Sequence, residues 1–257
     1  MEDIKEHIGP IAVFDSGKGG VSVLHECIKL LPKEEYIYFS DSANLPYGIR
    51  ASSEIRDLVL NHTSFMMGFK PKALLIACNT ATSVVVEELR EKYRIPIIGM
   101  EPAVKPAAEL SSGKKILVTA TNRTLKEEKL DNLISGLKIG DRVQKMSLQN
   151  LVGFAEELNF ESEELEAYLR ECFSEIQWEE FCSIVLGCTH FIYFKNLIRK
   201  ILPEHISLID GNYGTAKRLK ELTSNSTSEE FSLQYYDSMV KSDFEKLKPY
   251  LDILDKA

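Results

Sequence analysis

The sequence contains the stretch Leu74-Leu-Ile-Ala-Cys78-Asn-Thr80 in its first half and the stretch Ile184-Val-Leu-Gly-Cys188-Thr-His190 in its second half. Each stretch places four residues of the kind found in buried strands before a cysteine, and polar residues that can begin a helix follow. In open α/β sheets, ligands bind beyond the carboxyl ends of the strands. The repeat therefore predicts two similar α/β halves, each with a cysteine at the binding end of a strand.

Along the rest of the chain, short apolar runs alternate with longer amphipathic runs, which indicates parallel sheets covered by helices. The predicted strands are 11–14, 36–39, 73–77, 96–100, 115–119, 184–187 and 207–209. The predicted helices are 20–31, 52–68, 80–93, 102–111, 124–135, 162–176, 191–202 and 213–223. A polar, serine-rich tract at 223–230 precedes a last predicted strand at 231–236 and a last predicted helix at 242–254.

The composition is that of a globular chain without a strongly basic surface. The 257 residues are 44% hydrophobic and 27% charged, and their net charge is −8. This length suits one large domain or two small ones. The acidic balance argues against a nucleic-acid partner, because a nucleic-acid surface needs a basic stripe.

The cysteine usage and the N-terminal residues bear on the compartment. Residues 1–10 lack the basic start and apolar run of a signal peptide, and no apolar stretch reaches the roughly 20 residues of a membrane helix. The five cysteines include no Cys-x-x-Cys pair, which indicates free thiols in a reducing compartment. We therefore expect a cytoplasmic protein with no membrane partner.

A glycine-rich turn, Phe14-Asp-Ser-Gly-Lys-Gly-Gly-Val-Ser22, follows the first predicted strand. Backbone N–H groups in such a turn and at the following helix N-terminus can bind a carboxylate or a phosphate. Equally, the glycines can serve the geometry of the turn alone. The spacing of Gly17, Gly19 and Ser22 lacks the third small residue of a dinucleotide fingerprint, and no Lys-Ser/Thr pair follows the turn. A nucleotide site is therefore disfavoured.

The two repeated cysteines are the candidate chemical groups. A helix N-terminus favours the thiolate, so we predict that the pKa of Cys78 is lowered. A lone cysteine is more often a small buried hydrophobe, but the repeat of its context favours function. His190 can adjust the protonation of Cys188 or bind substrate, or it can simply bond to backbone. We expect Cys27, Cys172 and Cys182 to be core residues, and the cysteine and histidine spacings match no metal site.

Two such cysteines suit the inversion of a stereocentre. Inversion requires that one group removes a proton from one face of a carbon and that another delivers a proton to the opposite face. A thiolate and a thiol on facing domains can do this in either direction, and each contributes about 10²–10⁴-fold as a general base or acid. Glycine-rich turns and helix N-termini can stabilise the carbanion.

In five ordered motifs, the chain resembles the glutamate racemase family, within the broader aspartate/glutamate racemase superfamily. The motifs are Phe14–Gly20, Tyr38–Gly48, Ala77–Ala81, Ile95–Pro102 and Leu186–His190, and the ending at 235–251 is also similar. The resemblance implies an α/β fold of two similar three-layer, parallel-sheet domains related by a pseudo-twofold axis, with the active site in the cleft between them. The implied domains are 1–98 plus 209–257, and 99–208.

The resemblance also implies roles for individual residues. Cys78 and Cys188 are the two bases, with Cys78 facing the D-isomer and Cys188 the L-isomer, and Asp15 and His190 assist them. Besides these four residues, the implied substrate-binding residues are Ser16, Pro46, Tyr47, Gly48, Asn79, Thr80, Thr124 and Thr189. The implied activity is racemisation of glutamate by a homodimer, without pyridoxal phosphate or metal, to supply D-glutamate for peptidoglycan.

Two stretches in the second predicted domain depart from the family pattern. In Thr121-Asn-Arg-Thr-Leu-Lys-Glu-Glu-Lys129 only Thr124 matches well, and in 146–156 the clearest match is Glu156. These departures affect side-chain carboxylate binding, domain contacts and any effector site. Two alternatives stay open: a sister racemase for aspartate, another amino acid or a hydantoin, and a two-lobed protein that binds a small anion without turnover.

Overall fold

The computed structural model of the chain describes residues 9–111, 113–223 and 230–256, and within them the strands form two sheets. The first sheet has the order β10-β9-β2-β1-β3-β4 and is parallel except for the antiparallel pair β9 and β10. Its strands are β1 (Ile11–Asp15), β2 (Glu35–Ser40), β3 (Ala73–Ile76), β4 (Ile97–Gly99), β9 (Ser232–Asp237) and β10 (Val240–Ser242). Strands β1 and β3 are fully buried, as expected for a parallel sheet covered on both faces.

The second sheet is entirely parallel, with the order β6-β5-β7-β8. Its strands are β5 (Lys115–Ala120), β6 (Val143–Ser147), β7 (Phe181–Leu186) and β8 (Ser207–Ile209). The α/β fold with two sheet domains is therefore confirmed. Every predicted strand is present, but β6 and β10 were not predicted. Both are sheet-edge strands without a buried apolar run.

The helices cover the two sheets. They are α1 (Val21–Leu30), α2 (Ser52–Met67), α3 (Asn79–Lys92), α4 (Val104–Leu110), α5 (Asn122–Lys126), α6 (Glu128–Gly136), α7 (Asn150–Glu156), α8 (Glu163–Phe173), α9 (Lys195–Ile201), α10 (Asn212–Leu222) and α11 (Lys248–Leu254). The helix predicted at 124–135 is two helices, because Glu127 between them has an extended backbone. Helix α7 was not predicted. No helix in the described ranges is long and apolar enough to cross a membrane.

Two further predictions concern chain segments. The tract predicted at 223–230 lies largely outside the described residues, since 224–229 are not among them. The helix predicted at 191–202 begins with a 3-10 segment, Thr189–Phe194, and continues as α9. The ranges 1–98 plus 209–257 and 99–208 stay a prediction; the strands of each sheet fall in one range except at Gly99 of β4 and Ile209 of β8.

The fold brings the two sheets close together. One buried apolar cluster includes Val13 and Leu75 of the first sheet together with Leu117 and Ile184 of the second. Strands β3 and β7 both end at the cleft between the sheets, and each is followed within two residues by a cysteine. The fold therefore places the repeated cysteine motifs on opposite sides of one cleft.

Candidate active site

A small buried cavity lies in this cleft, and residues from both halves of the chain line it. Its volume is about 10 Å³, which is room for about one water molecule. The lining residues are Ser16, Leu45, Pro46, Tyr47, Gly48, Cys78, Asn79, Thr80, Thr121, Val152, Cys188, Thr189 and His190. All predicted site residues except Asp15 and Thr124 are thus brought together at one cavity. Leu45, Thr121 and Val152 line it without having been predicted.

Cys78 is the N-cap of helix α3 and immediately precedes its first residue, Asn79. Its backbone is extended, and its Sγ accepts a hydrogen bond from the N–H of Ala81 at 3.4 Å. The hydroxyl of Ser16 lies 3.4 Å from the same sulfur. Burial, together with the charge of Asp15, nevertheless raises the pKa of the thiol well above its ordinary value, although both hydrogen bonds act to lower it. The predicted lowering of the Cys78 pKa is therefore wrong for this closed cleft, because desolvation outweighs the helix N-terminus.

Cys188 is the first member of a chain of three polar side chains. Its Sγ lies 3.8 Å from Nδ1 of His190, and Nε2 of His190 lies 2.8 Å from Oε1 of Glu156. Burial acts to lower the pKa of His190, but its bonds to Cys188 and Glu156 outweigh burial and raise that pKa well above its ordinary value. His190 therefore connects the thiol of Cys188 to the carboxylate of Glu156.

Glu156 connects this chain to the glycine-rich turn of the first sheet. Burial acts to raise its pKa, but His190 and Lys18 outweigh burial and lower the pKa of Glu156 to about 2. Oε1 of Glu156 accepts the backbone N–H of Lys18 at 2.6 Å, and Nζ of Lys18 lies 3.1 Å from Oε2. The sequence analysis identified Glu156 as a match to the family pattern but predicted no role for it. Its contact to His190 could not be seen in the sequence, because the two residues are distant along the chain.

Asp15 lies behind the cavity. Its Oδ2 accepts the N–H of Gly20 at 2.6 Å and lies 3.5 Å from the hydroxyl of Thr189, while its buried Oδ1 has no hydrogen-bond partner. Burial raises the pKa of Asp15, and the positive charge of His190 opposes this effect. Asp15 thus lies next to the lining residue Thr189 without lining the cavity itself, and its predicted role stays a prediction.

The glycine-rich turn binds groups of the protein itself. The N–H of Lys18 is directed at Glu156, the N–H of Gly19 lies 3.2 Å from Nε2 of His190, and the N–H of Gly20 is directed at Asp15. The turn does hold carboxylates, as its chemistry predicts, but they are carboxylates of the same chain.

Three threonine hydroxyls from both sides of the cleft meet beside the cavity, and two of these threonines line it. The hydroxyl of Thr80 lies 3.0 Å from that of Thr121 and 3.1 Å from that of Thr124, and the last two are 3.0 Å apart. Thr124 does not line the cavity, but its hydroxyl contacts those of the lining residues Thr80 and Thr121. Next to them, Asn79 donates to the carbonyl of Met100, and its buried Oδ1 has no hydrogen-bond partner. This oxygen is a free acceptor at the site.

The other cysteines lie elsewhere. Cys27 is fully buried in the core, as predicted, while Cys172 and Cys182 are partly buried and pack against apolar clusters. All five cysteines are free thiols. Among the residues that the structure describes, no three His, Cys, Asp or Glu side chains are grouped closely enough to hold a metal ion.

Comparison with known proteins defines the class. Residues 11–219 match the family described as Asp/Glu/Hydantoin racemase. The chain belongs to this racemase family, since the match spans most of its length.

Individual relatives narrow the class further. The chain is 47% identical to the glutamate racemase of Halothermothrix orenii over 249 residues, which covers 95% of this chain and 98% of that relative. Its fold is similar to that of a Bacillus anthracis glutamate racemase isoform, with a TM-score of 0.85, 25% identity and coverage of 98% and 95%. It is also similar to an Escherichia coli glutamate racemase solved with L-glutamate and an activator, with a TM-score of 0.82, 29% identity and coverage of 96% and 95%. The resemblance to glutamate racemases is confirmed.

Proposed function

We propose that this protein interconverts L- and D-glutamate without a cofactor, with Cys78 and Cys188 as the two proton-transfer groups. The observation that carries this proposal is the cavity that both thiols line, one after β3 of the first sheet and the other after β7 of the second. Glutamate is proposed as substrate because the full-length relatives are named glutamate racemases.

In the proposed reaction from L- to D-glutamate, the thiolate of Cys188 takes the proton from Cα, and the electron pair of the C–H bond remains on the substrate as a carbanion. The S–H of Cys78 then gives its proton to the opposite face of Cα. Cys188 thereby ends as a thiol and Cys78 as a thiolate. In the reverse direction, Cys78 removes the proton and Cys188 delivers one. Each transfer is of the kind that contributes about 10²–10⁴-fold to a rate.

Generating a thiolate in a buried site requires nearby positive charge. Beside Cys188, that charge is the imidazolium of His190, which Glu156 holds in its protonated form. Beside Cys78, the hydrogen bonds from Ser16 and from the N–H of Ala81 favour the thiolate over the thiol. The ammonium group of the bound substrate adds a positive charge between the two sulfur atoms and partly offsets their desolvation.

The start of helix α3 supplies groups for the substrate. Its first turn carries no acidic residue, and the N-terminus of the helix favours an anion such as a substrate carboxylate. The unpartnered Oδ1 of Asn79 accepts a hydrogen bond from the substrate ammonium. The hydroxyls of Thr80 and Thr189, one from each half of the chain, add donors to the lining of the cavity. These fixed donors also stabilise the carbanion that forms during proton transfer.

Substrate entry requires that the cleft opens. The closed cavity of about 10 Å³ cannot contain a glutamate molecule. A larger cavity of about 720 Å³ lies next to it and shares Leu45, Pro46 and Val152 with it. We propose that this outer cavity is the route from solvent and that the two domains close over the substrate after it enters.

The wider role is proposed as well. D-glutamate formed by this enzyme serves peptidoglycan synthesis, and the enzyme acts in the cytoplasm as a homodimer with no nucleic-acid or membrane partner. The two domains are 1–98 plus 209–257 and 99–208. The relatives, which are named glutamate racemases, support the proposed substrate, while the net charge of −8 supports the absence of a nucleic-acid partner.

The experiment is a cofactor-free assay of the purified protein. L-glutamate is added without pyridoxal phosphate or metal, and optical rotation and chiral chromatography follow the composition. We expect a final mixture of equal parts L- and D-glutamate, because the enantiomers have equal free energies. Parallel assays use aspartate and a hydantoin. If only aspartate or only the hydantoin is turned over, that compound and not glutamate is the substrate. Binding of glutamate without turnover would instead support the two-lobed binding protein.

The close approach of Gly19 to the site leads to a prediction. A methyl group at this position would lie 2.5 Å from the hydroxyl oxygen of Thr189 and 2.6 Å from Cε1 of His190. We expect Gly19→Ala to displace His190 and to lower kcat/KM at least about 10-fold, since misplacement by about 1 Å can cost 10²-fold. Steady-state kinetics and thermal unfolding check this. Gly136→Ala, in open space at the end of α6, is the control, and equal losses in both variants would contradict the prediction.

A further inference from the structure

The loop from Pro46 to Arg50 belongs to the first sheet's half of the chain and contributes Pro46, Tyr47 and Gly48 to the cavity. We refer to residues 46–50 as the substrate loop. The opposite half of the chain contacts this loop through α5 and the residues around it. These residues belong to the stretch 121–129, which departs from the family pattern. The departure therefore concerns a contact across the cleft.

Arg123 is the first of these contacts. Its Nε donates a hydrogen bond to the backbone carbonyl of Arg50 at 2.9 Å. The side chain of Arg50 in turn donates to the carbonyl of Asn44 at 2.5 Å and forms an ion pair with Glu54. Arg50 thus connects the residues before and after the substrate loop, Asn44 and Glu54. Arg123 bonds the last residue of the loop to the opposite half of the chain.

Glu127 is the second contact. Its Oε1 accepts a hydrogen bond from the hydroxyl of Ser52 at 2.8 Å, and Ser52 is the first residue of the 16-residue helix α2. A carboxylate at a helix N-terminus interacts favourably with the helix dipole. The same oxygen lies 3.8 Å from Nη1 of Arg123, so the two side chains act as one unit. Both are largely covered, with exposed fractions of 26% for Arg123 and 19% for Glu127.

The middle of the loop is held by close packing. A Cβ atom at Gly48 would meet Oε1 of Gln149 and would lie 2.8 Å from Cβ of Thr121. Oε1 of Gln149 accepts the backbone N–H of Asn122 at 3.2 Å, which fixes this side chain against the start of α5. The substrate loop is therefore packed against the second half of the chain at its centre and bonded to it at its end.

We infer that Arg123 and Glu127 are positioning residues, which hold the substrate loop in the closed arrangement without contacting the substrate. This inference rests on the proposed function, because the loop matters only if it binds the substrate. If the hydrogen bonds from Arg123 to Arg50 and from Ser52 to Glu127 are lost, the closed arrangement, with the loop packed against the second half of the chain, is less populated in the free enzyme. The apparent affinity then falls in proportion to the closed fraction. At saturating substrate the cleft is closed by the substrate itself, so kcat changes little.

The test compares variants of these two residues with their exposed neighbours. We expect Arg123→Ala and Glu127→Ala each to raise KM for glutamate about five-fold, which corresponds to a closed fraction of about one fifth, while kcat stays within about two-fold. The exposed neighbours provide the controls Lys126→Ala and Glu128→Ala, for which we expect unchanged constants. Glu127→Gln retains an acceptor for Ser52 and should restore part of the affinity.

A double-mutant cycle makes the test specific. Ser52→Ala and Glu127→Ala remove the same hydrogen bond, so their combined effect on KM should be smaller than the product of the separate effects. Wild-type KM in both Arg123→Ala and Glu127→Ala, or a loss confined to kcat, would overturn the inference. Absence of turnover in the wild type would instead reject the proposed function. Amide hydrogen exchange of residues 46–52 would then still test the contact between Arg123 and the substrate loop. Arg123→Ala should accelerate this exchange.

Discussion

We expect Cys78→Ser and Cys188→Ser each to lower the rate of glutamate racemisation by at least about 10²-fold, because each variant lacks one of the two proton-transfer groups. A serine hydroxyl is close in size to a thiol but is far less acidic. It therefore cannot supply the thiolate that removes the α-proton, and it donates a proton poorly. Both sulfur atoms line the same cavity, so loss of either should stop inversion in both directions.

The controls for this prediction are Cys172→Ser and Cys182→Ser, which change partly buried thiols away from the cavity. They should retain activity and show that serine is tolerated in this chain. Because the enantiomers have equal free energies, kcat/KM must be equal in the two directions for every variant, and this equality checks the quality of the data. A Cys78→Ser or Cys188→Ser enzyme with nearly wild-type kcat/KM would remove that cysteine from the mechanism.

The second large effect is expected for Glu156→Gln, which keeps the shape of the side chain but removes its charge. Glu156 holds the pKa of His190 high through a 2.8 Å contact. Without this charge, the pKa of His190 falls, and the positive charge beside Cys188 is lost at a lower pH. We expect kcat/KM to fall about 10–10²-fold and the alkaline limb of its pH profile to move to lower pH.

The acid side of the pH range provides an independent check of the same residue. The folded-state pKa of Glu156 is about 2, below its ordinary value of 4.5. The stability that Glu156 contributes is therefore present above the unfolded-state pKa and is lost as the pH falls through about 2. As the pH falls from 4.5 to about 2, the free energy of unfolding of Glu156→Gln should therefore decline less steeply than that of the wild type. The control is Glu175→Gln, which changes an exposed glutamate. An unshifted pH profile of kcat/KM in Glu156→Gln, or a loss of kcat/KM in Glu175→Gln equal to that in Glu156→Gln, would contradict this account.

The sequence predicted those features that depend on local pattern. The apolar runs before Cys78 and Cys188 identified β3 and β7, and the following polar residues marked the start of α3 and of the 3-10 segment at Thr189. The edge strand β6 was missed because none of its residues, Val-Gln-Lys-Met-Ser, is fully buried and they show no apolar run. Helix α7 was missed because Gly153 interrupts a short and irregular pattern.

The sequence could not predict features that depend on contacts across the cleft. The raised pKa of Cys78 results from desolvation in a closed site, and a helix N-terminus alone indicates the opposite direction. Similarly, Glu156 and His190 meet only because the two halves of the chain close on each other. The same is true of Arg123 and the carbonyl of Arg50, although the unusual stretch 121–129 did mark the region.

The most direct test of the two-thiol mechanism is the position of isotope label in an early reaction in deuterium oxide. L-glutamate with protium at Cα is supplied to the wild-type enzyme, and L- and D-glutamate are separated and analysed by mass spectrometry at low conversion. In deuterium oxide, the thiol of Cys78 carries deuterium, so the account predicts D-glutamate with one deuterium at Cα and remaining L-glutamate that is still unlabelled. D-glutamate that retains the original protium would show that one group carries the proton across, and would contradict the account.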